Sequence, residues 1–167
     1  NYRSSFQKWG KLRPDGDRIV ILEDTDRDSV ADKETTFYQG HEINTALGIC
    51  VLGNKVIVSC SPNVFVFTDT DGEDKADKKE ILFTGIAGVD HDHGVHAFVF
   101  GPDGKLYFNM GNSGQQIKRA DGSPVIDVEG NEVNTRNRLY RQGLVFRCNL
   151  DGSEFEVLGH NFRNNYE

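Results

Sequence analysis

The sequence predicts an all-β fold, on three observations. Apolar residues fall in many short runs, and glycine is frequent (18 of 167 residues) while proline is rare (4), as in strands joined by turns. The acidic segment DTDRDSVADK at residues 24–33 returns as DTDGEDKADK at residues 69–78, an offset of 45 (69 − 24). A repeat in the forties that is built of short strands is typical of β-propeller blades. We therefore expect a β-propeller.

The strand-like runs can be assigned in chain order on this grid. RIVILE and TTFYQG form a half blade at about residues 18–40. ALGICVL, KVIVSC, NVFVFT and EILFTG form a four-stranded blade over residues 46–85, with a hairpin turn at Gly53-Asn54. HAFVF, KLYFNM, LVFRCN and FEVLG form the next blade over residues 95–160, interrupted by a long polar insert at residues 111–142.

The chain thus contains roughly two and a half four-stranded blades, whereas closed propellers have about four to eight. An open stack leaves sheet edges without neighbours, which favours aggregation. We therefore expect this chain to be a fragment of a longer protein, with further polypeptide that completes the propeller.

Charge and composition exclude several classes. The net charge of −7 disfavours nucleic acid as a partner, because phosphate binding needs a basic face. No apolar run approaches the roughly 20 residues of a membrane-spanning helix. The three cysteines, Cys50, Cys60 and Cys148, form no CxxC motif. Across the expected hairpin Cys50 and Cys60 are about three positions out of register, so a disulfide would be strained. We expect all three to be small buried apolar residues.

The repeated acidic segments have the composition of a calcium loop. Carboxylates occupy the first, third, fifth and ninth positions of each: Asp24, Asp26, Asp28 and Asp32, then Asp69, Asp71, Glu73 and Asp77. Alternate side chains of a tight loop can converge on one Ca²⁺, which prefers six to eight oxygen ligands. The loops are not EF-hands, because Ser29 and Asp74 replace the glycine of the sixth position and strands flank both loops. The alternative is a solvated acidic turn between strands.

The segment VDHDHGVHAFVFGPDGKLYFNMGNSG, residues 89–114, is the most informative. It resembles the blade of soluble quinoprotein glucose and aldose dehydrogenases that carries their catalytic histidine. GLVFRCNLDGSEFEVLGHNFRNNYE, residues 143–167, resembles their following strands. Both acidic loops, with WGKLRPDGDRIVILED and FRNNYE, are similar to a related group of propeller domains called membrane-bound dehydrogenases, which are often fused to a cytochrome c-like haem domain.

The resemblance implies a six-bladed propeller and a function. His93 matches the base that removes the proton of a sugar hydroxyl while hydride passes to pyrroloquinoline quinone (PQQ), a role that suits a group with a pKa near neutrality. Arg163 and Asn164 match the pair that lines the quinone and substrate pocket, where arginine can hold a carboxylate. The implied substrate is a sugar-like small molecule, the implied electron acceptor is a haem domain outside this segment, and the implied location is extracytoplasmic.

One position departs from the family pattern. The carboxylate that supports the base nineteen residues later is replaced by Asn112, in GNSG. An amide can orient the imidazole but cannot stabilise its protonated form as a carboxylate does. Asp90 or Asp92 is a candidate substitute.

Three alternatives remain open at this stage. Asn112 favours a non-catalytic, calcium-stabilised propeller that serves as a binding or assembly module. His91 and His93 alternate onto one face of an extended strand and could form half of a metal site, as in a metal-dependent hydrolase. The histidines could also be purely structural, with hydrogen bonds to loop carbonyls.

Overall fold

The structure is a computed structural model that describes residues 13–87 and 93–165. Eleven strands and one short 3₁₀ helix are assigned there. They are β1 Asp17–Glu23, β2 Lys33–Gly40, the 3₁₀ helix His41–Ile43, β3 Gly48–Leu52, β4 Lys55–Cys60, β5 Asn63–Thr68, β6 Lys78–Thr84, β7 Val95–Phe100, β8 Leu106–Met110, β9 Lys118–Arg119, β10 Gly143–Cys148 and β11 Glu156–Phe162.

All strand pairs are antiparallel and form three sheets. Sheet 1 contains β1 and β2, sheet 2 has the order β3-β4-β5-β6-β9, and sheet 3 has the order β11-β10-β8-β7. None of these sheets closes on itself within the described residues. The predicted all-β class is therefore confirmed. Sheet 2 without β9 covers residues 48–84, and sheet 3 covers residues 95–162 with the insert between β8 and β10.

The hairpin between β3 and β4 turns at the predicted residues. Leu52 pairs with Lys55, which leaves Gly53 and Asn54 as the two-residue loop. Gly53 has a φ of 57°, a left-handed conformation that glycine adopts without the steric cost of a Cβ. This turn sets the register of the whole β3–β4 pair.

Two of the three cysteines are buried, as the sequence predicts, and Cys50 is not fully buried. Cys50 pairs with Ile57, so Cys60 lies three positions from it along β4, and all three cysteines are free. Cys60 and Cys148 are buried and Cys50 is half-buried. Burial raises the pKa of the Cys148 thiol to about 12, so this residue is a neutral apolar group at physiological pH.

Two apolar cores hold the sheets face to face. The core between sheets 1 and 2 includes Ile19, Phe37, Val58 and Phe67. The core between sheets 2 and 3 is larger and is rich in phenylalanine: Phe83, Phe108, Phe146 and Phe155. Ring centroids there lie 5.0 to 6.0 Å apart, the spacing of stabilising aromatic pairs.

The insert at residues 111–142, which the sequence predicts to be polar, contributes apolar residues to the core. Ile117, Val125, Val133 and Tyr140 enter the core between sheets 2 and 3, and β9 adds a fifth strand at the β6 edge of sheet 2. Its apolar residues are scattered among polar ones, because each packs through a separate short bridge or turn and not through a regular strand. The sequence therefore shows no periodic pattern that would predict the burial of these residues.

Candidate active site

The candidate site lies where the start of β7 meets the end of β8. Antiparallel pairing places Val95 opposite Met110, so the residues that precede β7 lie beside those that follow β8. Gly111 N–H donates to Gly94 C=O at 2.8 Å. A Cβ at Gly111 would lie 2.6 Å from the His93 Cα, so only glycine permits this approach.

This approach brings His93 and Asn112 into contact. His93 Nδ1 lies 2.5 Å from Asn112 Oδ1. Because an amide oxygen only accepts hydrogen bonds, Nδ1 carries the hydrogen and Nε2 carries the lone pair. The half-buried His93 ring is thus held in the tautomer whose Nε2 can take a proton from a bound molecule.

The segment that follows β11 completes the site. Asn112 N–H donates to Arg163 C=O at 2.9 Å, which places the backbone of Arg163 beside the His93–Asn112 pair. The Arg163 side chain is exposed and Asn164 is half-buried. Asn165 Nδ2 donates to Leu144 C=O at 3.0 Å. The structure therefore brings together His93, Asn112 and the backbone of residues 163–165.

Sequence reasoning missed one residue of this site, His96. Its side chain is only 1% exposed, and its Nε2 lies 3.3 Å from Asn164 Oδ1. It is the third histidine of HDHGVH and already belongs to β7, a signal that the sequence offers but that resembles an ordinary core position. Asp90, His91 and Asp92 lie outside the described residues.

The first acidic loop gathers three carboxylates. Ligand atoms of Asp24, Asp26 and Asp28 lie within 4.8 Å of one another, and all three residues are exposed. Asp24 also orders the loop, since it accepts hydrogen bonds from the N–H groups of Arg27 at 2.7 Å and Ser29 at 2.9 Å. This group of hard oxygens has the chemistry that Ca²⁺ prefers.

The second acidic loop repeats the backbone bonds of the first. Asp69 accepts hydrogen bonds from the N–H groups of Gly72 at 2.7 Å and Asp74 at 3.0 Å. Burial alone would raise the pKa of Asp69, but hydrogen bonds from these N–H groups and from the N–H group of Glu73 lower it below its usual value. Equivalent residues are left-handed in both loops: Arg27 and Gly72 at the fourth position, and Ser29 and Asp74 at the sixth.

The carboxylate at the ninth position of each loop accepts hydrogen bonds from the threonine at the second position. Asp32 accepts hydrogen bonds from the Thr25 N–H at 3.0 Å and the Thr25 hydroxyl at 2.6 Å. Asp77 does the same with Thr70 at 3.1 and 2.5 Å. The Thr25 hydroxyl, followed by its N–H group, lowers the pKa of Asp32. These two carboxylates close their loops through threonine.

The lysines that end the two repeats form ion pairs with glutamates outside the acidic loops. Lys33 pairs with Glu23 at 2.6 Å and Lys78 pairs with Glu80 at 3.0 Å. Both glutamates lie on strands outside the loops. The ion pairs of these lysines are therefore made with strand glutamates and not with the clustered loop carboxylates.

Fold and site together define an all-β protein of face-to-face antiparallel sheets with a histidine–amide pair at the end of one sheet. The chain belongs to the family described as a domain of unknown function, DUF7133, which matches residues 2–166. No curated protein and no solved structure matches the chain. Among the described residues, no helix has the length and apolar character to cross a membrane.

Proposed function

We propose that the three sheets are consecutive blades of a six-bladed β-propeller: a half blade at residues 18–40, a blade at 46–85 and a blade at 95–160. The face-to-face packing through two separate cores supports this assignment, because blades contact only their neighbours. The two acidic loops support it as well, since each follows one strand and precedes the next in the same conformation.

We further propose that the domain oxidises a sugar-like alcohol in the manner of quinoprotein sugar dehydrogenases. The observation that carries this proposal is the His93–Asn112 hydrogen bond at 2.5 Å, which leaves Nε2 as a proton acceptor. In the reaction Nε2 takes the proton of the substrate hydroxyl, while the electron pair of the adjacent C–H bond leaves as hydride. A bound PQQ would supply the hydride acceptor.

The neighbouring polar groups fit an oxygen-rich, anionic cofactor. Arg163 offers two parallel donors to a carboxylate, and the Asn164 amide offers another donor. The buried oxygens Asn109 Oδ1 and Asn165 Oδ1 accept no hydrogen bond within residues 13–87 and 93–165. A buried acceptor of this kind favours a donor from water, a ligand or further polypeptide.

The remaining parts of the proposal lie outside this chain. A haem c in another domain or partner would serve as the electron acceptor, and further polypeptide completes the ring of blades. The location is extracytoplasmic, where millimolar calcium fills loops of modest affinity.

The test is sugar oxidation by the full-length protein with added PQQ and an artificial electron acceptor. His93→Ala should lower kcat by roughly 10²- to 10⁴-fold, as expected for the loss of a general base. His41→Ala, at an exposed histidine of the 3₁₀ helix, is the matched control and should leave the rate unchanged. Equal rates for both variants, or no quinone-dependent oxidation of any aldose by the wild type, would reject the enzyme.

A second candidate function is a non-catalytic, calcium-stabilised propeller that acts as a binding or assembly module. The observation that favours it is Asn112, a neutral amide where catalysis needs a group that stabilises imidazolium. In both candidates Ca²⁺ binds the two acidic loops through Asp24, Asp26, Asp28 and Asp32 and through Asp69, Asp71, Glu73 and Asp77. It offsets the mutual repulsion of these carboxylates.

Calcium binding is tested by thermal unfolding with and without chelator. A ligand that binds only the folded state stabilises it by about 2.7 kcal/mol at a concentration 100 times its Kd, so EDTA should lower the Tm and calcium should restore it. Asp24→Asn with Asp69→Asn should abolish the calcium response, whereas Asp121→Asn, in a turn of the insert, should keep it. A Tm that EDTA does not change would reject calcium in these loops.

A further inference from the structure

His96 is a buried histidine that the proposed reaction does not use. It stands at the second position of β7 and is 1% exposed. A buried polar side chain costs free energy unless it is hydrogen-bonded. Its contact with Asn164 Oδ1 at 3.3 Å joins residues that are 68 positions apart in the chain.

The contact matters because the segment it reaches has no regular structure. After β11 ends at Phe162, three hydrogen bonds within residues 13–87 and 93–165 hold residues 163–165 against sheet 3 and the loop after β8. Two of them fix Arg163 and Asn165: Asn112 N–H donates to Arg163 C=O, and Asn165 Nδ2 donates to Leu144 C=O. Among the residues that the structure describes, only His96 forms a hydrogen bond with the side chain of Asn164.

This bond fixes which way the amide faces. An amide oxygen only accepts hydrogen bonds, so Nε2 of His96 carries the hydrogen and Asn164 Oδ1 receives it. The NH₂ group of Asn164 is then directed away from His96 and stays available as a donor. His96 and His93 are therefore held in opposite tautomers, with the hydrogen on Nε2 in the first and on Nδ1 in the second.

We propose that His96 is a positioning residue that fixes the Asn164 amide, so that its NH₂ group donates to an acceptor oxygen of the bound ligand. The role rests on the proposed function, with PQQ as the ligand, because the quinone and carboxylate oxygens of PQQ are acceptors. His96 itself does not touch the reacting atoms. It acts by holding residues 163–165 in one arrangement before the ligand binds.

The variants separate the two steps of this inference. His96→Leu removes the donor, and His96→Gln keeps a side-chain N–H that can reach Asn164. Asn164→Asp keeps the acceptor for His96 but removes the NH₂ donor. All are made in the full-length protein, with His41→Leu as the surface control.

Two measurements without quinone test the positioning step. Imidazole ¹⁵N shifts should show the hydrogen of His96 on Nε2 in the wild type. Hydrogen exchange at residues 160–165 should be about three- to tenfold faster in His96→Leu, the range expected for one lost hydrogen bond, and unchanged in Asn164→Asp. A wild-type hydrogen on Nδ1, or unchanged exchange in His96→Leu, overturns the inference. Should His96→Leu fail to fold, the wild-type shifts and His96→Gln still decide it.

Two measurements with PQQ test the ligand step. The Kd for PQQ should rise about three- to tenfold in His96→Leu and at least as much in Asn164→Asp, and should stay near the wild-type value in His96→Gln. At saturating PQQ, His96→Leu should keep far more of the wild-type kcat than His93→Ala does, since His93 is untouched. A Gln variant as weak as the Leu variant, or an unchanged Kd in Asn164→Asp, contradicts the role. If the wild type binds no PQQ, the proposed function fails while exchange and ¹⁵N shifts still decide the positioning.

Discussion

At the residue scale, the site depends on how two side chains meet at the ends of paired strands. His93 lies two residues before β7 and Asn112 lies two residues after β8, so antiparallel pairing alone brings them together. The glycine between β8 and Asn112 allows the backbones to touch. The amide then selects the His93 tautomer but supplies no negative charge to stabilise the protonated ring.

Asn112→Asp should therefore strengthen His93 as a base. A carboxylate stabilises the protonated ring as an amide cannot, so the kcat for sugar oxidation should rise above the wild-type value. Steady-state sugar oxidation at saturating PQQ measures it. Asn137→Asp, on the exposed surface of the insert, should leave the rate unchanged, and an unchanged rate in Asn112→Asp would contradict the assignment.

Tyr140→Phe should destabilise the insert. The Tyr140 hydroxyl donates a hydrogen bond to Asp127, which is 7% exposed. Burial, followed by this hydrogen bond, raises the pKa of Tyr140 to about 12. Removing the hydroxyl leaves a buried carboxylate with one donor fewer, at a cost of about 1–3 kcal/mol in the free energy of unfolding. Urea unfolding measures it. The comparison is Tyr107→Phe, whose hydroxyl bonds Asp103 at the surface and should cost less than about 0.5 kcal/mol.

At the element scale, sheets 1 and 2 are joined by a polar cluster as well as by their apolar core. Tyr38 of β2 donates to Glu42 of the 3₁₀ helix at 2.5 Å, and Lys79 of β6 forms an ion pair with the same carboxylate. The hydrogen bond from Lys79, then that from Tyr38, lowers the pKa of Glu42 from 4.5 to about 2. The carboxylate of Glu42 therefore connects β2, the 3₁₀ helix and β6.

The contribution of Glu42 to stability should depend on pH. Because the folded pKa of about 2 lies below the unfolded value, this stabilisation is complete above about pH 4.5 and is lost as the pH falls towards 2. Glu42→Gln should lower the free energy of unfolding at pH 7 by about 1 kcal/mol, a value reduced by the solvent exposure of Lys79. It should also flatten the acid dependence between pH 4.5 and 2.

Denaturant unfolding at each pH measures this effect. Glu34→Gln, at a carboxylate that is 46% exposed in its ion pair with Arg18, is the matched control and should change stability by less than about 0.5 kcal/mol. An acid dependence in Glu42→Gln identical to that of the wild type would mean that the cluster does not act as described.

At the scale of the whole molecule, apolar residues remain exposed on β3 and β7, which are edge strands of sheets 2 and 3. Ile49 and Val51 of β3 are 56% and 63% exposed, and Val99 of β7 is 58% exposed. A cavity of about 630 Å³, lined in part by Ile19, Ile49 and Val58, lies between sheets 1 and 2. Such surfaces are typical of sheets that pack against further polypeptide.

The 167-residue chain produced alone should consequently associate with itself or with other polypeptide. Edge strands that expose apolar residues are templates for pairing with another chain. Sedimentation analysis over a range of concentrations should give masses above that of the monomer, and Ile49→Lys with Val51→Lys should reduce the association. Leu139→Lys, at an exposed leucine of the insert, is the matched control and should not reduce it. A compact monomer at all concentrations would contradict the expectation that these sheets need neighbours.

Much of the local structure could be predicted from the sequence because it depends on residues close in the chain. Alternating apolar runs gave the strands, Gly53 gave the turn, and the 45-residue offset gave two loops with the same backbone conformation. The resemblance to quinoprotein dehydrogenases pointed to the pair His93 and Asn112, and the hairpin of β7 and β8 brings the two residues together.

The tertiary structure alone decided what depends on residues far apart. The insert looked polar, yet Ile117, Val125 and Val133 are buried, because their partners lie on two different sheets. His96 looked like an ordinary strand residue until the fold placed Asn164 beside it. Periodicity reports only which residues share a face of one element, whereas burial and hydrogen bonds between elements depend on how those elements pack.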